Sequence, residues 1–169
     1  MKDKSTFILF CISIFIVILM LGVILFIHNK VQSLQTDQDI LNTAMTYEHS
    51  GQYDDAINIL QKRISLYPNN ASLNCSLGFV YAKKWYSAEQ ANPNTSNILL
   101  KDAEQYLETG IQLDPQSASC QGNYAVAIYD DNSKDLNLVW PQVKKAQSLG
   151  WVFDQQFLTN LQAVSPEPK

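Results

Sequence analysis

Apolar and polar positions divide the chain into two unlike parts. From Phe7 to Ile27 no charged residue occurs and Ile, Phe, Leu and Val dominate. From about residue 37 onward, apolar residues instead recur every three or four positions between polar ones. At 1.5 Å per helical residue the first stretch reaches roughly 30 Å, the thickness of a bilayer hydrocarbon core, so it predicts a retained transmembrane helix over 7–27. A flank of 1–6 precedes it and a linker of 28–36 follows. The other reading is a cleavable signal peptide: Val31-Gln32-Ser33 offers a site for cleavage after Ser33, although an apolar region of only about 7–15 residues is normal for such a signal. Lys2, Lys4 and the α-amino group precede the span and only Lys30 closely follows it. That bias of one charge favours a cytoplasmic N-terminus and a translocated C-terminal domain, periplasmic in a bacterium.

The second part contains an internal repeat. Asp55-Ala56-Ile57-Asn58-Ile59-Leu60 through Leu66-Tyr67-Pro68 aligns with Asp102-Ala103-Glu104-Gln105-Tyr106-Leu107 through Leu113-Asp114-Pro115, 47 residues later. Each segment has apolar residues at helical spacing and ends at a proline, which predicts two amphipathic helices terminated alike. A partner helix precedes each. Leu77-Gly78-Phe79-Val80-Tyr81 and Thr43-Ala44-Met45-Thr46-Tyr47 place a small residue and a tyrosine in the same slots. After the second proline, Asn123-Tyr124-Ala125-Val126-Ala127-Ile128-Tyr129 starts another helix at the same distance.

These residues resemble the tetratricopeptide repeat, whose signature places Leu-Gly-x-x-Tyr on a first helix and Ala-x-x-x-Phe, then proline, on a second. Repeat one, about 37–70, is similar in Tyr47, Gly51, Tyr53, Ala56, Leu60 and Pro68, and departs at Thr43 and Arg63. Repeat two, about 71–117, keeps Leu77, Gly78, Tyr81, Ala103, Leu107, Gly110 and Pro115. It carries thirteen extra residues between its helices, predicted as a loop joining lengthened helices around Asn92-Pro93-Asn94. Repeat three, about 118–150, is degenerate: Tyr124, Ala125 and Ile128 fill first-helix slots and Val139, Val143 and Ala146 the second, with Pro141 in that helix's first turn and Gly150 at its end. Phe153, Phe157, Leu158, Leu161 and Val164 have the spacing of a capping helix within 151–164, and 165–169 is a frayed tail. The expected fold is therefore all-α, a short helical solenoid of about three helix-turn-helix repeats plus a cap, after one transmembrane helix. Most motif residues are packing positions of such a solenoid.

The resemblance implies a concave face lined by first helices, with slots at Leu41, Met45 and His49, at Cys75, Phe79 and Lys83, and at Gly122, Val126 and Tyr129. Family members that clamp a peptide carboxylate use Lys, Asn and Arg in corresponding slots, and Leu41 and Met45 take two of those places here. An apolar helix or extended segment suits Met45, Phe79 and Tyr129 better. The competing occupant is the chain's own C-terminal helix. Trp85 and Tyr86, in the insertion, are either a contact patch or packed against the adjacent helix.

Charge and chemistry narrow the function class. The part after Lys30 holds 9 Lys and Arg against 15 Asp and Glu, near −6, with no basic cluster longer than a pair, which disfavours nucleic acid and anionic membrane surfaces. His28 and His49 have no Cys, Asp or Glu at metal-ligand spacing, and neither a glycine-rich phosphate loop nor a nucleophile elbow is present. No enzyme activity, metal or cofactor is expected. Cys75 and Cys120 fall on neighbouring first helices, where they are either a disulfide or, the favoured reading, two buried thiols. These features together suggest a membrane-anchored adaptor or scaffold that binds a membrane-proximal protein during assembly of an envelope complex, with no small-molecule substrate. The alternatives are a periplasmic holdase and a non-catalytic regulatory subunit of a membrane enzyme.

Overall fold

The structure, a computed structural model, describes residues 3–92, 98–131 and 136–167; within its first helix the side chains at 3–7, 9–11, 29 and 31–35 lie outside the description. Its described elements are helical and include no strand. Helix α1 runs Asp3–His49, α2 Tyr53–Leu66, α3 Ala71–Ala91, α4 Ile98–Leu113, α5 Ala118–Asp130, α6 Val139–Ser148 behind a 3₁₀ turn at Leu136–Leu138, and α7 Gln155–Val164. Two units divide the chain, residues 1–39 and residues 40–169.

In the first unit the backbone is helical throughout its described length, including 28–36, the expected linker. Ile8 and every residue from 12 to 27 are exposed. Among the described residues no helix is long and apolar enough to cross a membrane; the described side chains of the expected span fall on both sides of the gap at 9–11. The alternative cleavage site at Val31-Gln32-Ser33 lies among side chains outside the description.

In the second unit, local chemistry explains where each helix starts and stops. Gly51 and Gly150 adopt left-handed φ of 72° and 93°, and each closes a helix with the same pair of bonds. Gly51 N–H donates to Glu48 C=O and Gln52 N–H to Tyr47 C=O, while Gly150 N–H donates to Gln147 C=O and Trp151 N–H to Ala146 C=O. Any Cβ at that φ is strained, which is why glycine ends both helices. Helices α2 and α4 stop two residues before Pro68 and Pro115. The next helices are then capped by side chains, Asn70 Oδ1 accepting from Leu73 N–H at 3.1 Å and Ser117 Oγ from Cys120 N–H at 3.4 Å.

The helices pack on their neighbours in sequence, α2 on α3, α3 on α4, α4 on α5 and α5 on α6, in a solenoid-like arrangement. A front cluster joins Ala44 at the end of α1, Ala56, Ile57 and Leu60 of α2, Leu73, Leu77, Val80 and Tyr81 of α3, and Ala103 of α4. A middle cluster joins Cys75, Trp85, Leu100, Leu107, Cys120 and Ala127, and a back cluster gathers α5, α6 and α7 around Val139, Trp140, Val143, Phe153 and Leu161. Leu60 and Leu107, equivalent across the repeat, are both fully buried, each stabilising the fold by about 1.5–3 kcal/mol. Gly78 lets α3 and α4 touch: a Cβ there would sit 2.6 Å from Leu107 Cγ and 2.7 Å from Ala103 C=O.

The extra residues of the second pair lengthen its helices. Helix α1 ends at His49, just past Tyr47, whereas α3 continues beyond Tyr81 to Ala91. Lys84–Ala91, expected at the start of the connecting segment, is therefore helix, and the reason is Trp85, which is buried and packs in the middle cluster with Leu100 of α4. The centre of the expected loop, 93–97, lies outside the described residues, as do the last two residues of the tail.

Candidate interaction surface

The slots expected on the concave face divide into open and covered ones. On the last turns of α1, Leu41 packs half-buried on the front cluster, while Met45 is 52 % exposed and His49 is exposed with Nε2 3.4 Å from Glu48 Oε2. On α3, Phe79 is half-buried and Lys83 extends over its ring, Nζ lying 5.4 Å from the centroid. That placement lets the ammonium interact with the ring face. Lys84, one residue on, reaches the first turn of α2 and bonds Asp54 Oδ1 at 2.5 Å.

Cys75 is not on this surface. It is buried and joined to Cys120 by a disulfide, with the two Cα atoms 5.2 Å apart. This replaces the expectation of two free thiols: the first helices of adjacent pairs approach within bridging distance. Trp85 is also withdrawn into the core, its indole Nε1 buried without a hydrogen-bond acceptor among the described residues, and Tyr86 is the exposed aromatic of that segment.

On α5 the expected slots are occupied by the chain itself. Val126 and Tyr129 pack on the back cluster, and the Tyr129 ring meets Phe157 of α7 edge to face at 5.2 Å. Gly122 lies under the Trp151 indole, so closely that a Cβ would collide with the ring. Helix α7 is capped at its N-terminus by Asp154, whose side chain accepts from Gln156 N–H at 2.7 Å. Its far end is strapped down by Trp140 Nε1 donating to Ser165 C=O at 2.6 Å and by Lys144 Nζ 3.0 Å from Glu167 Oε1. A shallow depression of about 520 Å³ opens along α6 and α7, lined by Trp140, Gln147, Leu158 and Gln162 among others.

Residues that carry the arrangement without having been singled out are Trp151, Asn74 and Gln121. The Asn74 amide donates to the carbonyls of Pro68 and Asn70 at 3.0 and 2.9 Å, and Gln121 Nε2 to Pro115 C=O at 3.5 Å. Both side chains are buried polar groups in equivalent places, and they satisfy the carbonyls that a helix-ending proline leaves over. The signal was in the alignment, since 74 and 121 are also 47 apart. Tyr124 donates its hydroxyl to Glu108 Oε1 at 2.6 Å, and burial together with that carboxylate raises the phenol's pKa. Burial raises Tyr81 as well, helped by Tyr106, Asp102 and Asp54. Such groups stay neutral and act as hydrogen-bond partners. Among the described residues no group of three His, Cys, Asp or Glu side chains could hold a metal ion.

The sequence matches no protein-family model, and no curated protein is detectably similar to it.

Proposed function

We propose that the chain is a membrane-anchored adaptor of tetratricopeptide-repeat type that binds a protein segment and performs no catalysis or cofactor chemistry. The observation carrying this reading is the difference between open and covered first-helix slots. Met45, His49 and Lys83 are exposed at the front and the half-buried Phe79 belongs to none of the core clusters, whereas the half-buried Val126 and Tyr129 at the back pack on the back cluster, Tyr129 against Phe157 of α7. The docking site is then the front two pairs, and its partner presents an apolar side chain for Met45 and Phe79. Met supplies adaptable packing, and Lys83 sets a positive charge beside the apolar contact. The repeat reading itself rests on the matched helix pairs, the Pro68/Pro115 ends and the Gly78 close contact.

The anchor is residues 7–27. Its support is that α1 is apolar and exposed around its whole circumference between 12 and 27, Phe26 being 72 % exposed, and an all-round apolar helix needs either a protein core or lipid. The repeat domain then faces an extracytoplasmic compartment, a placement favoured by the charges flanking the span and by the Cys75–Cys120 bond. Within that setting the partner is a membrane protein or a substrate emerging at the membrane, as in assembly of an envelope complex.

The test is site-specific photo-crosslinking of the full-length protein in native membranes, with the probe at Met45, Phe79 or Val126. A single stoichiometric adduct from the first two and none from Val126 is expected. A smear of unrelated adducts at Met45 and Phe79 replaces the adaptor with a holdase, and an adduct from Val126 alone moves the site to the back. Recovery of an enzyme whose activity tracks the protein's level turns the reading to a regulatory subunit. A topology reporter fused after Lys169 is expected to signal outside the cytoplasm, and the opposite signal removes the placement.

A further inference from the structure

We infer that Cys75 and Cys120 are an obligatory oxidation site, acted on by a disulfide-bearing oxidant while the chain is still folding and closed to redox reagents afterwards. This inference does not depend on the adaptor reading. The geometry behind it is topological. The bond closes a loop across 45 residues of sequence, and the whole of α4 lies inside that loop. In the folded domain both sulfurs are buried, in a cluster with Trp85, Leu100, Leu107 and Ala127. Gly110 of α4 covers them: a Cβ at that position would collide with Cys75 Sγ and stand 3.2 Å from Cys120 Sγ. Only a residue without a side chain lets α4 close over the bridge.

Disulfide exchange requires an in-line approach of a thiolate to a sulfur, so a buried bridge under a helix cannot be reached by a third sulfur. The oxidation therefore precedes closure of α4. One cysteine thiolate attacks the oxidant's disulfide, forming a mixed disulfide and releasing one oxidant thiol. The second cysteine, as thiolate, attacks the sulfur of the first and releases the other oxidant thiol. Two protons and two electrons have then left the cysteines, and the oxidant has become a dithiol. A chain held in a reducing compartment lacks that acceptor and loses the tie between its second and third helix pairs.

The experiment uses the full-length chain with Cys11→Ser in detergent micelles, counting thiols by alkylation and mass. No label is expected on the folded protein with or without reductant, none in denaturant alone, and two in denaturant with reductant. Two labels on the folded protein under reductant, or two in denaturant without it, overturn the inference. Oxidised glutathione supplied during refolding is expected to give the bond quickly, while the same reagent added to chain already refolded under reduction reacts many-fold more slowly. Equal rates overturn the order of events. Both the reduced chain and Cys75→Ala/Cys120→Ala should melt roughly 10–15 °C below the oxidised protein, and coincident melts remove the structural role. Gly110→Ala, which places a methyl against the sulfurs, is expected to lower the oxidised yield; an unchanged yield overturns the packing argument.

Discussion

The front and back of the helical domain are both built from packed helices yet finish differently. At the front, α1, α2 and α3 share a core that includes the small residues Ala44 and Ala56, while Gly78 sets the spacing of α3 against α4, and Met45, Phe79 and Lys83 are left outside that core. At the back, α5 and α6 share a core that a third helix completes, with Trp151 over Gly122 and Phe157 against Tyr129. A terminal repeat has no neighbour on one side, so its exposed face must be covered or made polar. Here it is covered, by Trp151 over Gly122 and by Phe157 of α7 against Tyr129.

The largest expected effect tests whether these are two separate cores. Leu60 and Leu161 are both fully buried, one in each. Leu60→Ala and Leu161→Ala should each lower stability by about 3 kcal/mol, read from denaturant midpoints. Hydrogen exchange should then separate them, with protection falling in α2 and α3 for the first and in α5 to α7 for the second. A uniform loss of protection in both variants would merge the two cores into one.

The glycines sharpen the comparison at a smaller cost. A methyl on Gly78 meets the backbone carbonyl of Ala103 and the Leu107 side chain, neither of which can leave without moving α4, whereas the nearest atoms to a methyl on Gly122 are those of the Trp151 ring. Gly78→Ala is expected to cost about 2–3 kcal/mol and Gly122→Ala about 1 kcal/mol. The second should also shift the tryptophan emission to the red as Trp151 swings into water. If Gly122→Ala proves as costly as Gly78→Ala, the cover over the back repeat is as rigid as a helix contact.

How far this was legible in the sequence depends on the range of the interaction. Helix pairing, the glycine and proline stops and the buried identity of Leu60, Leu77, Ala103 and Leu107 are set by residues within one or two turns, and periodicity reports them directly. The Cys75–Cys120 bond and the burial of Trp85 depend on how two pairs dock, and no local pattern encodes that distance. The same holds for Trp151 over Gly122. Phe79 and Val126 read alike as helix-face positions and both are half-buried, but only Val126 packs on a core cluster, which the chain after Gly150 helps to build. The Asn74 and Gln121 pins were visible as equivalent polar residues, but a polar residue inside an apolar run is easily assigned to solvent until its carbonyl partners are seen.

The strap at the end of α7 comes next. Trp140 Nε1 donates to Ser165 C=O in a buried setting. Trp140→Phe keeps most of the ring volume, removes the donor and strands the carbonyl, so a loss of about 1–2 kcal/mol is expected, with the tail after Val164 becoming sensitive to protease. A tail that stays resistant would mean that the exposed Lys144–Glu167 pair and the Glu167 N–H bond to Gln162 Oε1 hold it without the tryptophan, although an exposed ion pair is ordinarily worth about 0–1 kcal/mol.

The smallest effect is a pH dependence confined to the back. Burial at the end of α5 raises the Asp130 carboxyl from its ordinary 3.8 to about 6. Between those values the folded chain holds a proton that the unfolded chain has released, so stability from this group is fully present below about pH 4 and is lost as pH rises to about 6. Above that the ionised carboxylate is carried at a constant cost. Asp130→Asn removes the titration and keeps a polar group of the same size. Melting curves of the two proteins should therefore coincide near pH 4 and separate by pH 7, with the variant melting higher. A gap that opens in the other direction, or one already present at pH 4, would mean that the carboxylate is stabilised in the fold and that the end of α5 is wetter than its packing against the back core implies.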